Sequence, residues 1–179
     1  AEQTPQRKAA AAFVAATSAV LLHLPLPESL PSTQEFLPLL PTGLRAFALY
    51  VQAHYLYLHQ NYTQSIGIVE STLAMGAEQY PITAIYLHLM AVMDYMSMRQ
   101  TETARKHLLA AWALARPDDL IEGFGEHHGL LGGMLEAVIK SRWPEDFRRI
   151  IDITGQFSWG WRQIHNPDTG HQVADNLTS

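Results

Sequence analysis

Residues 101–117 read TETARKHLLAAWALARP, and this stretch carries the pattern that decides the predicted fold. Small or apolar residues recur in it at helical spacing, and a proline closes it: Ala104, Leu108, Ala111 and Pro117. The pattern recurs upstream within residues 61–75, NYTQSIGIVESTLAM, where Ser65 stands 39 positions before Ala104. Two copies at one period predict a solenoid of helix pairs, an architecture that offers a binding surface before it offers any chemistry.

The composition limits the classes of function open to this chain. Its 179 residues fit one domain with a real core. The net charge is −5 and no basic run occurs, so these residues lack the footprint that nucleic-acid binding needs. The absence of cysteine excludes disulfides and thiolate metal sites and fits a cytoplasmic protein. The longest apolar run, residues 9–27, is interrupted by polar residues and prolines, so we expect no membrane segment.

The chain is predicted to be all-α and to divide into three parts. Residues 1–41 hold one helix, capped by Thr4, and a proline-rich connector. Residues 42–165 hold three helix pairs, the first of them capped by Thr42. Residues 166–179 are turn-rich and polar and are predicted to be a linker. The predicted helices in the three pairs are 43–59 with 62–75, 81–98 with 101–116, and 120–143 with a helix that starts at Pro144 and ends at Trp161 or His165.

Five glycines between residues 123 and 133 make the first helix of the third pair a weak helix former. We predict one long helix here, capped by Asp118 and Asp119. The glycines either permit close helix packing or mark a break in it.

Residues 44–160 resemble tetratricopeptide (TPR) repeats, because Ala104, Leu108 and Ala111 match the small and apolar positions of that motif. The resemblance is partial. Ser65 stands where the family prefers alanine, Pro117 falls one place late, and the expected tryptophan and glycine are missing. It implies a TPR-like right-handed solenoid of about three helix pairs, preceded by an N-terminal helix.

Residues 175–179, DNLTS, resemble the lead-in to the helix-turn-helix domain of LuxR-type transcription regulators. In that family a TPR-like sensor domain precedes the DNA-binding module. The resemblance implies a non-catalytic sensor domain cut just before its DNA-binding domain, which would contact DNA only through that missing part. The implied partner is a small-molecule or peptide effector. The alternative is a scaffold module that binds a protein and has no small-molecule pocket.

The candidate ligand-binding residues lie on the first helices of successive pairs. Aromatic hydroxyls, an imidazole and an adaptable thioether suit a mixed polar and apolar ligand. The same side chains would equally fill the interface with the N-terminal helix. The candidates are Tyr50, His54, Tyr57, Tyr86 and Met93, joined by His127 from the third pair.

The string Glu126-His127-His128 is the most suggestive chemical motif. Adjacent histidines point about 100° apart on a helix, whereas a two-histidine helical metal site needs a four-residue gap. We therefore predict no metal and no cofactor. A histidine-dependent metalloenzyme remains the weakest of three alternatives. Since no phosphate loop or nucleophile elbow occurs, we do not predict an enzyme.

Trp159 and Trp161 flank Gly160 near the end of the last predicted helix. They are candidate anchors of a homodimer or of the missing domain, because buried tryptophans commonly dominate interfaces. The alternative is that they cap the last helix pair.

Overall fold

The computed structural model describes residues 4–166, and this part of the chain is all-helical, as predicted, with no strand. Its α-helices are α1 Pro5–Leu21, α2 Thr33–Phe36, α3 Thr42–Leu58, α4 Tyr62–Ala74, α5 Pro81–Ser97, α6 Thr101–Ala115, α7 Glu122–His127, α8 Met134–Val138 and α9 Pro144–His165. Single 3₁₀ turns are formed by Leu37–Leu39, Ala77–Gln79, Arg116–Asp118 and His128–Leu130. Apart from Asn166, the predicted linker lies outside the described residues.

Local sequence signals explain several of the helix ends. The Thr4 hydroxyl accepts a hydrogen bond from the Arg7 amide at 3.3 Å, which confirms it as the N-cap of α1. Gly76 adopts φ +93°, the left-handed conformation that commonly follows a helix. The predicted cap at Thr42 is wrong. Thr42 is the first helical residue, and Pro41 occupies the cap position without a side-chain hydrogen bond.

Helix α5 is the centre of the molecule. Because it is apolar nearly all round, it is covered on several sides, and α3, α4, α6 and α7 all pack against it. Helix α4 contacts both α3 and α5, and α6 contacts α5. Ser65, Ala104, Leu108 and Ala111 are fully buried. The small side chains of Ser65, Ala104 and Ala111 let neighbouring helices approach closely.

The predicted single helix over residues 120–143 is wrong, and the break that its glycines allowed is present. Gly132 and Gly133 adopt φ values of +61° and +80°, which residues other than glycine rarely adopt. The chain therefore turns between two short helices. Helix α7 packs against α9, and α8 packs against α6.

The N-terminal segment shares its packing with the rest of the described chain. Helix α1 lies against α3, and a small apolar cluster joins α1, the connector and α3. Its buried members are Ala9, Ala12, Phe36, Leu40 and Ala48. None of the helices within residues 4–166 combines the length and hydropathy needed to cross a bilayer.

A buried carboxyl group sits on the central helix. The Ser65 hydroxyl donates to Asp94 Oδ2 at 2.6 Å, whereas Asp94 Oδ1 has no hydrogen-bond partner among the described residues. Burial raises the pKa of the Asp94 carboxyl to about 7, although the Ser65 hydrogen bond opposes this shift. The folded protein therefore holds this proton more tightly than the unfolded chain does.

We expect Asp94→Asn to stabilise the protein at pH 8. Between about pH 4 and pH 7 the unfolded chain has lost the Asp94 proton and the folded protein still holds it. The contribution of the Asp94 carboxyl to the free energy of unfolding therefore falls as pH rises through that window and is constant above it. At 1.36 kcal/mol per pKa unit, the largest stability that ionised Asp94 can cost, and that Asp94→Asn can restore, is about 4 kcal/mol. A gain of about 2 kcal/mol is expected, because the new amide also needs partners.

Urea unfolding at pH 5 and pH 8 measures this effect, with Asp152→Asn on an exposed part of α9 as the control. The gain from Asp94→Asn should be larger at pH 8 than at pH 5. An equal gain at both values would contradict the assigned pKa.

Candidate functional site

Three buried side chains form a polar cluster, here called the histidine–tyrosine cluster: Tyr50, His54 and His127. The Tyr50 hydroxyl oxygen lies 3.0 Å from His54 Nδ1 and 2.6 Å from His127 Nε2. His127 Nδ1 lies 2.6 Å from the Gly123 carbonyl oxygen. All three side chains are almost completely buried. The cluster thus joins α3 to α7 through hydrogen bonds inside the core.

A long helix, α3, and a short one, α7, bring these groups together. Tyr50 and His54 are one turn apart on α3, so they lie on the same face. His127 ends α7, which glycines allow to sit close to its neighbours. A Cβ on Gly123 would lie 3.1 Å from Tyr86 Cε2, and one on Gly125 would lie 2.3 Å from Ile153 Cγ2. The glycines that weaken α7 as a helix therefore serve its packing.

The hydrogen-bond pattern determines which nitrogens carry protons. A carbonyl can only accept, so His127 Nδ1 carries a hydrogen and donates it to Gly123. Burial lowers the pKa of His127 to about 4, so its Nε2 is a bare acceptor at neutral pH. Burial also raises the pKa of Tyr50, which keeps its hydroxyl protonated. Tyr50 therefore donates to His127 Nε2 and accepts from His54 Nδ1–H.

This pattern leaves one hydrogen-bond acceptor, the Nε2 atom of His54, without a donor. Burial holds the pKa of His54 well below its usual value, so the ring is neutral and its Nε2 carries a lone pair. That atom is buried and has no hydrogen-bond partner among the described residues. A buried acceptor of this kind lowers the free energy of unfolding by roughly 1–3 kcal/mol while it stays unpaired.

Tyr86 and Glu126 form a second polar contact beside the cluster. The Tyr86 hydroxyl donates to Glu126 Oε2 at 2.9 Å, and the Tyr86 ring packs against Tyr50 and His127. Burial raises the pKa of both groups. Glu126 is therefore already engaged by a partner.

A cavity of about 450 Å³ lies beside the histidine–tyrosine cluster. The end of α1, α3, α7 with its 3₁₀ turn, and α9 form its wall, so it is built from segments far apart in the chain. Its lining residues are Leu21, His23, His54, Gly125, Glu126, His127, His128, Gly129, Leu130, Thr154, Phe157, Ser158, Trp161 and Arg162. A mostly apolar cavity with a few convergent polar groups is typical of a small-molecule site.

Two of the six predicted ligand-binding residues, His54 and His127, line this cavity. Tyr50 and Tyr86 stand beside them, and the Tyr57 ring centre is 6.2 Å from that of His54. Met93 is fully buried in the core and does not line the cavity.

The two predicted interface tryptophans are separated. Trp159 is 64 % exposed on the outer side of α9. Trp161 instead borders the cavity and stacks on His165 with ring centres 3.8 Å apart. His165 Nε2 in turn donates to the Leu22 carbonyl at 2.6 Å, which holds the end of α9 against the end of α1.

Sequence reasoning missed the contribution of α9 to the cavity. Five of its residues line the wall at i, i+3, i+4, i+7 and i+8, which is one face of a helix. That spacing is visible in the sequence and could have been found. The residues are Thr154, Phe157, Ser158, Trp161 and Arg162. His23 was also missed, and no sequence signal places it there, because it follows the last turn of α1.

A second cavity, of about 690 Å³, lies between α1, the connector and α3. Its wall is dominated by aliphatic and aromatic side chains and prolines. The Thr33 hydroxyl donates to Gln52 Oε1 at 2.8 Å, so polar groups at its edge are paired with each other. It offers no buried unpaired polar atom to orient a ligand, which makes it the weaker candidate.

Within residues 4–166, no group of three or more His, Asp or Glu side chains is placed to hold one metal ion. The chain matches no protein-family model, and neither a curated protein nor a solved structure is significantly similar to it.

Proposed function

We propose that this chain is the TPR-like sensor domain of a LuxR-type transcription regulator, a cytoplasmic and non-catalytic module that binds a small-molecule or peptide effector. The observation that carries the proposal is the 450 Å³ cavity beside His54. A partly enclosed cavity, one of whose lining residues carries a buried and unpaired acceptor, suits a bound molecule better than it suits a flat protein interface.

The packing of the repeats supports the solenoid part of the proposal. Helices α3 and α4 and helices α5 and α6 form consecutive pairs, and the first helices of the two pairs also contact each other. Ser65 and Ala104, 39 positions apart, are both fully buried. Equivalent positions with equivalent burial are what a repeat predicts.

Helix α9 links the cavity to the proposed DNA-binding module. It provides five residues of the cavity wall and leads directly to residues 166–179. A ligand that contacts α9, α3 and the end of α1 together favours the arrangement in which all three are closed around it. Such differential affinity is the only means by which a ligand can shift an equilibrium between two arrangements.

Two experiments test the regulator assignment. The reading frame beyond Ser179 should encode a helix-turn-helix domain with Arg-Glu close behind Leu177 and Thr178. The full-length protein should bind DNA, with an affinity that changes when the effector is added. A reading frame without a helix-turn-helix would overturn the assignment.

The second candidate function is a scaffold that binds a protein partner, and the exposed Trp159 favours it. The same surface is where a homodimer would form. A thermal-shift screen separates the scaffold from the sensor. An effector at 100 times its dissociation constant adds about 2.7 kcal/mol, which corresponds to roughly 5–10 °C in melting temperature. No response to any metabolite or short peptide would favour the scaffold.

A further inference from the structure

The unpaired nitrogen of His54 specifies the chemistry of the ligand. We infer that the cavity binds a planar ring compound that is not an anion and has one N–H or O–H group, which donates to His54 Nε2. This inference rests on the proposed effector-binding role of the cavity and names the class of effector.

The donor requirement follows from the histidine–tyrosine cluster. The Gly123 carbonyl, His127, Tyr50 and His54 form one chain of hydrogen bonds in which every hydrogen has an acceptor. His54, with only 2 % of its surface exposed, ends the chain with a lone pair on Nε2. A ligand that donates a hydrogen bond satisfies this atom, whereas a ligand with only acceptors places two lone pairs against each other.

The remaining wall indicates that the ligand is planar and is not an anion. Phe157, Trp161, Leu21 and Leu130 supply apolar and aromatic surface, against which a flat ring packs well. The carboxylate of Glu126 is already bonded to Tyr86. Arg162, whose Nε donates to the Ser158 carbonyl, is exposed at the rim. The buried part of the wall therefore holds no Lys or Arg that would compensate an anionic ligand, whereas its one carboxylate, Glu126, is paired only with a neutral hydroxyl.

Two pairs of probe compounds test the donor directly: indole against 1-methylindole, and phenol against anisole. Each pair differs by one methyl group that replaces the donated hydrogen. Titration calorimetry of the whole chain should show that the donor of at least one pair binds at least tenfold more tightly than its methylated partner. A factor of ten corresponds to about 1.4 kcal/mol.

The matched variant is His54→Asn. Its amide nitrogen can take the place of Nδ1–H and keep the hydrogen bond to Tyr50, while the Nε2 acceptor is lost. In this variant the two members of each pair should bind equally. His59→Asn, at the exposed end of the same helix, should keep the full discrimination of the parent protein.

A measurement on the unsubstituted protein covers the case in which His54→Asn fails to fold. With ¹⁵N-labelled histidine, the Nε2 resonance of His54 should move on addition of indole and stay in place with 1-methylindole. The resonances of His54 and His127 should both report Nδ1–H tautomers throughout.

Equal affinity within both pairs would overturn the inference, as would the absence of saturable binding by either donor at millimolar concentration. Zn²⁺ binding that is lost in His54→Asn would also overturn it, because the nitrogen would then be a metal ligand. None of these outcomes bears on the regulator assignment, which is tested separately by the reading frame beyond Ser179. Conversely, an absent helix-turn-helix domain leaves the donor test unaffected.

Discussion

Gly125→Ala is expected to destabilise the protein by about 3 kcal/mol. Helix α7 crosses α9 at Gly125, where a Cβ would lie 2.3 Å from Ile153 Cγ2 and 3.2 Å from the Ile150 carbonyl oxygen. Ile153 is branched at Cβ and Ile150 contributes backbone, so neither can move aside cheaply. The two helices must therefore separate, so the expected loss of stability lies at the upper end of the range for substitutions that overpack a core.

Thermal unfolding measures this change, and a fall of roughly 6–12 °C in melting temperature is expected for a domain of this size. Gly155→Ala on α9 is the matched control. No atom lies within 4 Å of a Cβ at that position, so the substitution should stabilise the helix by about 0.5–1 kcal/mol. If both variants gained stability, the close crossing of α7 and α9 would be wrong.

Tyr50→Phe is expected to cost about 2–3 kcal/mol at neutral pH. The substitution preserves the ring and removes only the hydroxyl, which joins His54 and His127. His127 Nε2 then lacks its donor and His54 Nδ1–H lacks its acceptor, and both are buried. Two unsatisfied polar groups in the core cost more than the one hydrogen bond that a surface tyrosine would lose.

Tyr55→Phe on the same helix is the control, since the Tyr55 hydroxyl makes no hydrogen bond with residues 4–166. It should change the free energy of unfolding by less than about 0.5 kcal/mol. Chemical denaturation of both variants at pH 7.5 provides the comparison. Equal small losses would mean that solvent reaches the histidine–tyrosine cluster and replaces the hydroxyl.

Much of the helical framework is predictable from short segments. Pro81 and Pro144 start helices, Gly76 ends one, and the nearly continuous apolar sequence of α5 predicts a helix packed on several sides. These signals act within a few residues of where they stand, so a sequence pattern contains them. The break at Gly132 and Gly133 is less readable, because glycine permits a left-handed turn without requiring it.

Local sequence patterns predict only part of the arrangement of the site residues. Tyr50 and His54 share one face of a helix, which the four-residue spacing indicates. Their meeting with His127 joins positions 77 residues apart and depends on how closely α7 approaches α5, where a Cβ on Gly123 would lie 3.1 Å from Tyr86 Cε2. Met93 has the same helical spacing as a groove residue, yet other helices cover it completely.

By itself, the sequence determined that the described chain is helical, where most of its helices start and stop, and which small residues are buried between them. Local hydrogen bonding, backbone freedom and apolar periodicity carry that information. Only the tertiary structure decided which histidine nitrogen is left without a partner and which face of α9 closes the cavity. Both depend on distances between segments far apart in the chain, and those distances are set by packing of the whole core.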